Sequence, residues 1–403
     1  MPSSYVVQRG DTLYRIGRRY GISVSALLAA NPQLGDGSYL VPGQVITIPD
    51  RPVNRYVIQP GDTFYYIARR FNVSIQDLLA ANPNVVPQSL QIGQTIVIPA
   101  GNRMTIVDPL GPYGFAEMQE DLALLRERYP FLETVVIGYS VMGKPITAVK
   151  IGGGPVKVHY NGAFHANEWI TTPLIMKFLE DYAAAYAQGG TIRGRSAVDL
   201  YNQSSLWLVP MVNPDGVELV QEGVSSQHPF YRQLLEWNNG SYDFTGWKAN
   251  IRGVDLNDQY PAFWEEERDR RPTLGPGPRD YPGTAPLTEP EAITMANFTR
   301  NTDFDLVIAF HTQGREIYWN YRDYEPPEAE TIANRFGEVS GYRPVRLTGS
   351  DAGYKDWFIL EFRRPGFTVE AGQGVNPLPI SQFPQIYEEV IGIMLEGLTA
   401  VEV

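Results

Sequence analysis

The 403-residue chain contains no cysteine. Disulfides, thiolate metal sites and cysteine nucleophiles are excluded together, and redox chemistry says nothing about compartment. Histidine is scarce, with four residues in all, so each imidazole can be weighed singly. No apolar run approaches the roughly 18 residues that span a bilayer, so no membrane span is expected. There is no Gly-x-Ser-x-Gly, which disfavours a serine hydrolase. The first hundred residues lack Lys and Glu entirely, carrying eight Arg against five Asp, while the whole chain has a formal charge of −12. The acidic balance therefore sits in the later residues and argues against nucleic acid as a partner. The opening "MPSSYVVQRGDTL" enters a structured pattern within five residues and leaves no room for the charged and apolar regions of a secretory signal.

What is present begins with a duplication. "YVVQRGDTLYRIGRRYGISVSALLAANP" at 5–32 matches "YVIQPGDTFYYIARRFNVSIQDLLAANP" at 56–83 with a constant offset of 51, and each copy ends in "GQVITIP" or "GQTIVIP". So close a repeat is a duplicated folding unit. In the first copy Tyr5, Val6 and Val7 read as a strand, and Leu13, Ile16 and Tyr20 share one helical face. Ser23 and Ser74 sit where a hydroxyl caps a second helix, which Asn31-Pro32 and Asn82-Pro83 end. A last strand covers Val45 to Ile48, or Ile96 to Ile98, giving a βααβ unit of about 45 residues.

This pattern resembles the LysM module across nearly all of 5–49 and 56–99. The resemblance implies binding of N-acetylglucosamine-containing glycans such as peptidoglycan. It places the sugar against Gly10, Asp11, Thr12, Leu13, Asn31 and Pro32, and against Gly61, Asp62, Thr63, Phe64, Asn82 and Pro83. The expected organisation is one module at 1–50, a second at 55–100, a Gly- and Pro-spaced linker at 101–112, and a large domain at 113–403.

The large domain alternates apolar runs with helical stretches. "VKVHYNGAF", "LWLVPMV", "FDLVIAF" and "GFTVEAG" read as buried strands, and "VVIGYSVMGKPITAVKIG" as a hairpin turning at Gly143-Lys144. The helices are expected at 117–130, 172–186, 288–300, 328–340 and 381–399, and the alternation predicts an α/β sandwich. His165 and Glu168 follow one strand and His311 ends another. A hydrolytic zinc site needs three N or O ligands and an open position, and functional groups gather beyond the carboxyl ends of strands in such sheets, so these three can converge.

Five segments, "HANE", "NPDG", "NIRGVDLN", "AFHTQG" and "FTVEAG", resemble the zinc metallocarboxypeptidase family in order and approximate spacing. The resemblance implies an α/β fold with a carboxypeptidase-like mixed β-sheet flanked by helices. It makes His165, Glu168 and His311 the ligands of one zinc ion, Glu370 the general base, Arg252 the oxyanion-stabilising arginine, and Asn257 and Gln313 substrate-side groups. His159 is expected to face the core or a helix, and His228 lies in a loop outside every motif. Two departures stand out. The residue after Asn257, an arginine that grips a terminal carboxylate in carboxypeptidases, is Asp258, and "RLTGSDAG" offers no counterpart to their mobile tyrosine.

The paired modules, "GVDLNDQYP" and "FHTQGREIYWNY" resemble the γ-D-glutamyl-meso-diaminopimelate peptidases, which cut the stem peptide of peptidoglycan. On that reading Asp258 meets the distal ammonium of diaminopimelate; the alternative is that it caps its loop or forms a salt bridge there with Arg252 or another nearby arginine. The alternatives are a carboxypeptidase acting on peptide C-termini and a non-catalytic wall-binding protein. The compartment is expected to be either the cytoplasm of a sporulating cell or the cell wall.

Overall fold

The structure is a computed structural model of the full chain. It describes residues 3–8, 11–13, 16, 27–28, 30–34, 40–48, 54–59, 62–64, 67, 78–79, 81–83, 85–86, 90–98, 106–107, 109 and 111–401. The chain divides into two compact units, Met1–Gly111 and Pro112–Val403.

In the first unit each repeat closes a two-stranded antiparallel sheet. Strand β1 (Ser3–Val6) pairs with β2 (Val45–Ile48), and β3 (Asn54–Val57) with β4 (Thr95–Ile98), in the same register one repeat apart. Val7, Leu13, Ile16, Leu27, Ile46 and Ile48 form one small core, and Ile58, Phe64, Ile67, Leu78, Ile96 and Ile98 form its duplicate. One buried polar residue locks each copy. Asn31 donates from Nδ2 to the Leu27 and Thr47 carbonyls and accepts from Thr47 N. Asn82 makes the same three bonds, to the Leu78 and Val97 carbonyls and from Val97 N. An asparagine at this point satisfies strand and helix-end groups that no apolar residue reaches. The predicted positions Tyr20, Ser23 and Ser74, and most of the two helices between the strands, lie outside the described residues.

The second unit is built on a mixed sheet. After α1 (Phe115–Arg128) come β5 (Glu133–Tyr139), β6 (Pro145–Ile151), β7 (Val156–Gly162), α2 (Thr171–Ala187), β8 (Ser204–Val209) and α3 (Pro214–Glu222). Next are α4 (Trp264–Arg270), α5 (Pro290–Thr302), β9 (Leu306–His311), β10 (Glu316–Tyr318), α6 (Ala329–Ser340), β11 (Arg343–Val345), α7 (Tyr354–Phe362), β12 (Gly366–Glu370) and α8 (Phe383–Gly397). The strand order is β11-β10-β12-β9-β7-β8-β6-β5. The central strands β12, β9, β7 and β8 are mutually parallel and buried on both faces, which is why they read as continuous apolar runs. The hairpin β5–β6 and strand β10 add antiparallel pairs outside them.

Alternation along β7 separates the two helical layers. Tyr160 faces α2 and α8, its hydroxyl donating to the Met394 carbonyl at 2.6 Å. His159 faces the opposite layer, stacked on Phe304 at 4.8 Å and edge-on to Phe298. Its Nδ1 lies 3.0 Å from the Trp207 carbonyl and Nε2 accepts from Asn161, so the ring is neutral with the proton on Nδ1. This is the core histidine the sequence pointed to.

Burial pushes the His159 pKa down to about 3 from 6.5. The folded unit therefore resists a proton that the unfolded chain accepts, and its stability falls as pH drops from 6.5 toward 3, by about 1.4 kcal/mol per pH unit inside that window. Denaturant unfolding across this range is expected to show a shallower acid slope in His159→Gln than in the parent chain.

Candidate metal and catalytic centre

Three neighbouring parallel strands deliver the site. His165 follows β7, His311 is the last residue of β9, and Glu370 the last of β12; His311 and Glu370 are direct register partners. Between β7 and α2 the chain makes a single 3-10 turn, Ala166–Glu168, that returns Glu168 beneath His165. Thr171 fixes this turn, its hydroxyl donating to the Glu168 carbonyl at 2.9 Å and accepting from Ala163 N at 2.8 Å. The "NPDG" segment braces it. Asn213 caps α3 through Gly216 N and donates to the carbonyls of Phe164 and Ala249 at 3.1 Å. A Cβ on Gly216 would come within 2.8 Å of Ala166 and 2.7 Å of Asn213, so only glycine fits there.

The result is a buried donor set. His165 Nδ1 and His311 Nδ1 face each other at 3.1 Å, and each lies 2.9 Å from one oxygen of Glu168. Among the described residues, these three are the group of His, Asp and Glu side chains able to hold a metal ion, with their ligand atoms all within 4.8 Å of one another. Imidazole–zinc bonds of about 2.0–2.1 Å in a tetrahedral site put neighbouring donors roughly 3.3 Å apart, so the set fits zinc. His165 Nε2 lies 3.1 Å from Asp255 Oδ1, which orients the ring and leaves Nδ1 free to donate a lone pair.

The charges here are strongly coupled. Burial works against the protonated form of His165, yet the carboxylates of Glu168 and Asp255 outweigh it and push the pKa up to about 9. Burial lowers His311, with His165 and Lys248 adding to the effect. Burial opposes the charge on Glu168, but the two histidines hold its carboxyl well below the usual range. Glu370 goes the other way, pushed up to about 8 by burial and by the neighbouring charge of Glu168.

The expected cation differs from the one found beside these groups. Lys248 acts on the titration of His165, His311 and Glu370, and its Nζ lies 2.8 Å from Asp255 Oδ2. Asp255 thus grips the His165 ring with one oxygen and Lys248 with the other. Arg252, four residues on, is 45% exposed and lies 3.6 Å from Glu289. The cause is local: Asn250 Oδ1 accepts from Arg252 N and Val254 N, making a turn through Gly253 (φ +72°) that sends Arg252 outward. The sequence reading singled out neither Lys248 nor Asp255, because "WKAN" and "GVDLN" carried no periodic signal for them.

The remaining expected residues fall as follows. Asn257 accepts from Tyr354 N at 3.1 Å and closes the loop onto α7. Gln313 is exposed and accepts from Gly374 N. Asp258 does not stand open to a ligand. It is buried, and its Oδ1 accepts from Arg271 Nη2 at 2.6 Å. Burial and the Asp255 charge push its carboxyl up to about 7.

In the first unit, Asp11 accepts from Tyr5 Oη and Gln8 N, and Asp62 from Tyr56 Oη and Gln59 N, as turn caps. Leu13, Phe64, Asn31 and Asn82 turn their side chains into the small cores, while Pro32 and Pro83 are exposed. Thr12 and Thr63 are described at the same turns, and Gly10 and Gly61 lie outside the described residues.

Comparison with known proteins agrees with this arrangement. The zinc carboxypeptidase family matches residues 118–391, and the LysM domain matches 5–49 and 56–99. The chain belongs to the zinc carboxypeptidase family and carries two LysM domains. It is 49% identical over 392 residues to γ-D-glutamyl-L-diamino acid endopeptidase 1 of Lysinibacillus sphaericus, covering 85% of this chain and 99% of that protein. A secreted LysM effector of Passalora fulva is 36% identical over 105 residues, 25% of this chain and 46% of the effector. Among solved structures, bovine thrombin-activatable fibrinolysis inhibitor aligns with a TM-score of 0.55 at 19% identity, over 72% of this chain and 97% of that one, a likeness of fold. The carboxypeptidase-like mixed sheet flanked by helices, with two modules before it, is the fold the sequence implied.

Without one of His165, Glu168 and His311 the group offers two donors, too few to retain zinc. His165→Ala is expected to purify with well under one zinc per chain by elemental analysis while the parent holds about one, and to lose hydrolysis with it.

Proposed function

We propose that the chain is a zinc endopeptidase of peptidoglycan stem peptides, cutting the γ-D-glutamyl bond before a diamino acid such as meso-diaminopimelate. The observation that carries the reading is the convergence of His165, Glu168, His311 and Glu370 at three adjacent strand ends. It occurs in a chain 49% identical to a γ-D-glutamyl-L-diamino acid endopeptidase along nearly all of that protein. One zinc ion held by His165, Glu168 and His311 supplies Lewis acidity and a water that ionises near neutral pH.

The chain's own residues do the rest. Glu370, at the end of β12 beside His311, is suited by its position to take a proton on its carboxylate from the attacking water and to pass it to the leaving amine. Lys248 takes the part expected of Arg252, its ammonium meeting the negative charge that develops on the scissile carbonyl oxygen, a contact worth on the order of 3 kcal/mol. Asp255 keeps both His165 and Lys248 in place, and Asn257 and Gln313 line the substrate side. Asp258, already bound to Arg271, holds the loop together. An acid in that position, engaged by an internal partner, gives no support to a carboxypeptidase that grips a free C-terminus.

The LysM domains support association with the cell wall, and no helix among the described residues is long and apolar enough to cross a membrane. Glycan contact at the two turns falls to Asp11, Thr12, Asp62 and Thr63 and to the exposed Pro32 and Pro83, since the leucine, phenylalanine and asparagine side chains are committed inward. Two weak modules in series bind a polymer more tightly than either alone and raise the local substrate concentration.

Mass spectrometry of digested muropeptides is expected to show a new amino terminus at the diamino acid; release of C-terminal residues instead would establish the carboxypeptidase alternative. On the same substrate Lys248→Ala is expected to lower kcat by about a hundredfold, and Arg252→Ala by far less. A chain beginning at Pro112 is expected to cleave soluble stem peptides at the full rate yet to sediment poorly with insoluble peptidoglycan, because the first unit has its own cores and contains none of the catalytic groups.

A further inference from the structure

We infer that Asn376 is a positioning residue for the metal-binding carboxylate, tying the loop after β12 to Glu168. This rests on the zinc reading of His165, Glu168 and His311. Asn376 Nδ2 donates to Glu168 Oε1 at 3.3 Å and to the Thr312 carbonyl at 2.8 Å, and Oδ1 accepts from Thr312 Oγ1 at 2.7 Å. The two acceptors and one hydroxyl donor fix which end of the amide faces Glu168.

The argument turns on which donors Glu168 keeps. Among the described residues its carboxylate has four hydrogen-bonding neighbours: His165 Nδ1 and His311 Nδ1 at 2.9 Å, and Asn376 Nδ2 and Thr312 N at 3.3 Å. An imidazole nitrogen that ligates a metal offers it a lone pair and has no proton to give. Both histidines then stop donating to Glu168. Of these four neighbours, one side-chain amide and one backbone N–H remain to orient it. Asn376 also lies six residues beyond Glu370, so the loop that leaves the general base is the one that returns to steer the ligand. Thr312, which orients the amide, directly follows His311. One side chain therefore links the segments carrying a histidine ligand, the carboxylate ligand and the base.

The test measures zinc affinity by competition with a chromophoric chelator, together with the melting temperature of the zinc-free protein. Asn376→Ala is expected to weaken zinc binding about ten- to a hundredfold, the range for lost outer partners of metal ligands, with little change in zinc-free melting, which a merely structural residue would lower. Thr312→Val removes the hydroxyl that orients the amide and is expected to give a smaller loss in the same direction. The double variant should lose no more than Asn376→Ala alone. Thr312→Val also keeps the inference testable if Asn376→Ala fails to fold. Parent-like zinc affinity in both single variants, alongside loss of zinc in Glu168→Gln, overturns the inference and leaves the metal site standing. Parent-like zinc binding by Glu168→Gln overturns the metal site itself.

Discussion

The Glu168 carboxylate is the junction on which the rest of the centre depends. It is buried and ionised, and a buried charge persists only where oppositely charged or hydrogen-bonding groups surround it. Those groups come from the turn after β7, the end of β9 and the loop after β12, so a single desolvated charge obliges three distant segments to meet. The sheet makes the meeting cheap. Parallel central strands end together on one edge, and each contributes its residue at the same depth. The helices on either face serve that edge: Tyr160 and His159, adjacent on β7, reach opposite layers and hold the strand between them.

A second junction at Asp255 extends the same logic outward. One oxygen orients a histidine and the other secures an ammonium, so the geometry of the imidazole and that of the cation are set by one side chain. Neither partner can shift alone. The mutual dependence accounts for the direction of the His165 shift: two carboxylates flank the ring, and the lysine beyond them offsets only part of their effect.

Much of this was legible before any coordinates. His165, Glu168 and His311 could be placed at strand ends because they follow apolar runs, but it was the resemblance to the zinc metallocarboxypeptidases that singled them out as a set and added Glu370. The two repeats were legible because duplication preserves the core positions, such as Leu13 with Phe64 and Ile46 with Val97's neighbour Ile96. The choice of cation was not legible. Lys248 and Arg252 occupy one short loop, and which of them faces inward depends on a turn held by Asn250, a tertiary detail without a periodic trace. Asp258 shows the same limit. Its charge stood out at its position, but its partner, Arg271, lies 13 residues downstream beyond α4. Asn376 is 208 residues from the carboxylate it touches, and no spacing rule reaches that far.

The buried asparagine of each repeat has a consequence for the chain's history. Asn31 and Asn82 close their modules using only groups from their own repeat, 4 to 16 residues away. Among the described residues each module has its own apolar core and its own lock, which is the organisation that lets a unit be repeated. Gain or loss of a copy leaves the three asparagine bonds of the other copy intact. The number of modules can then vary with no redesign of the zinc carboxypeptidase domain that follows them.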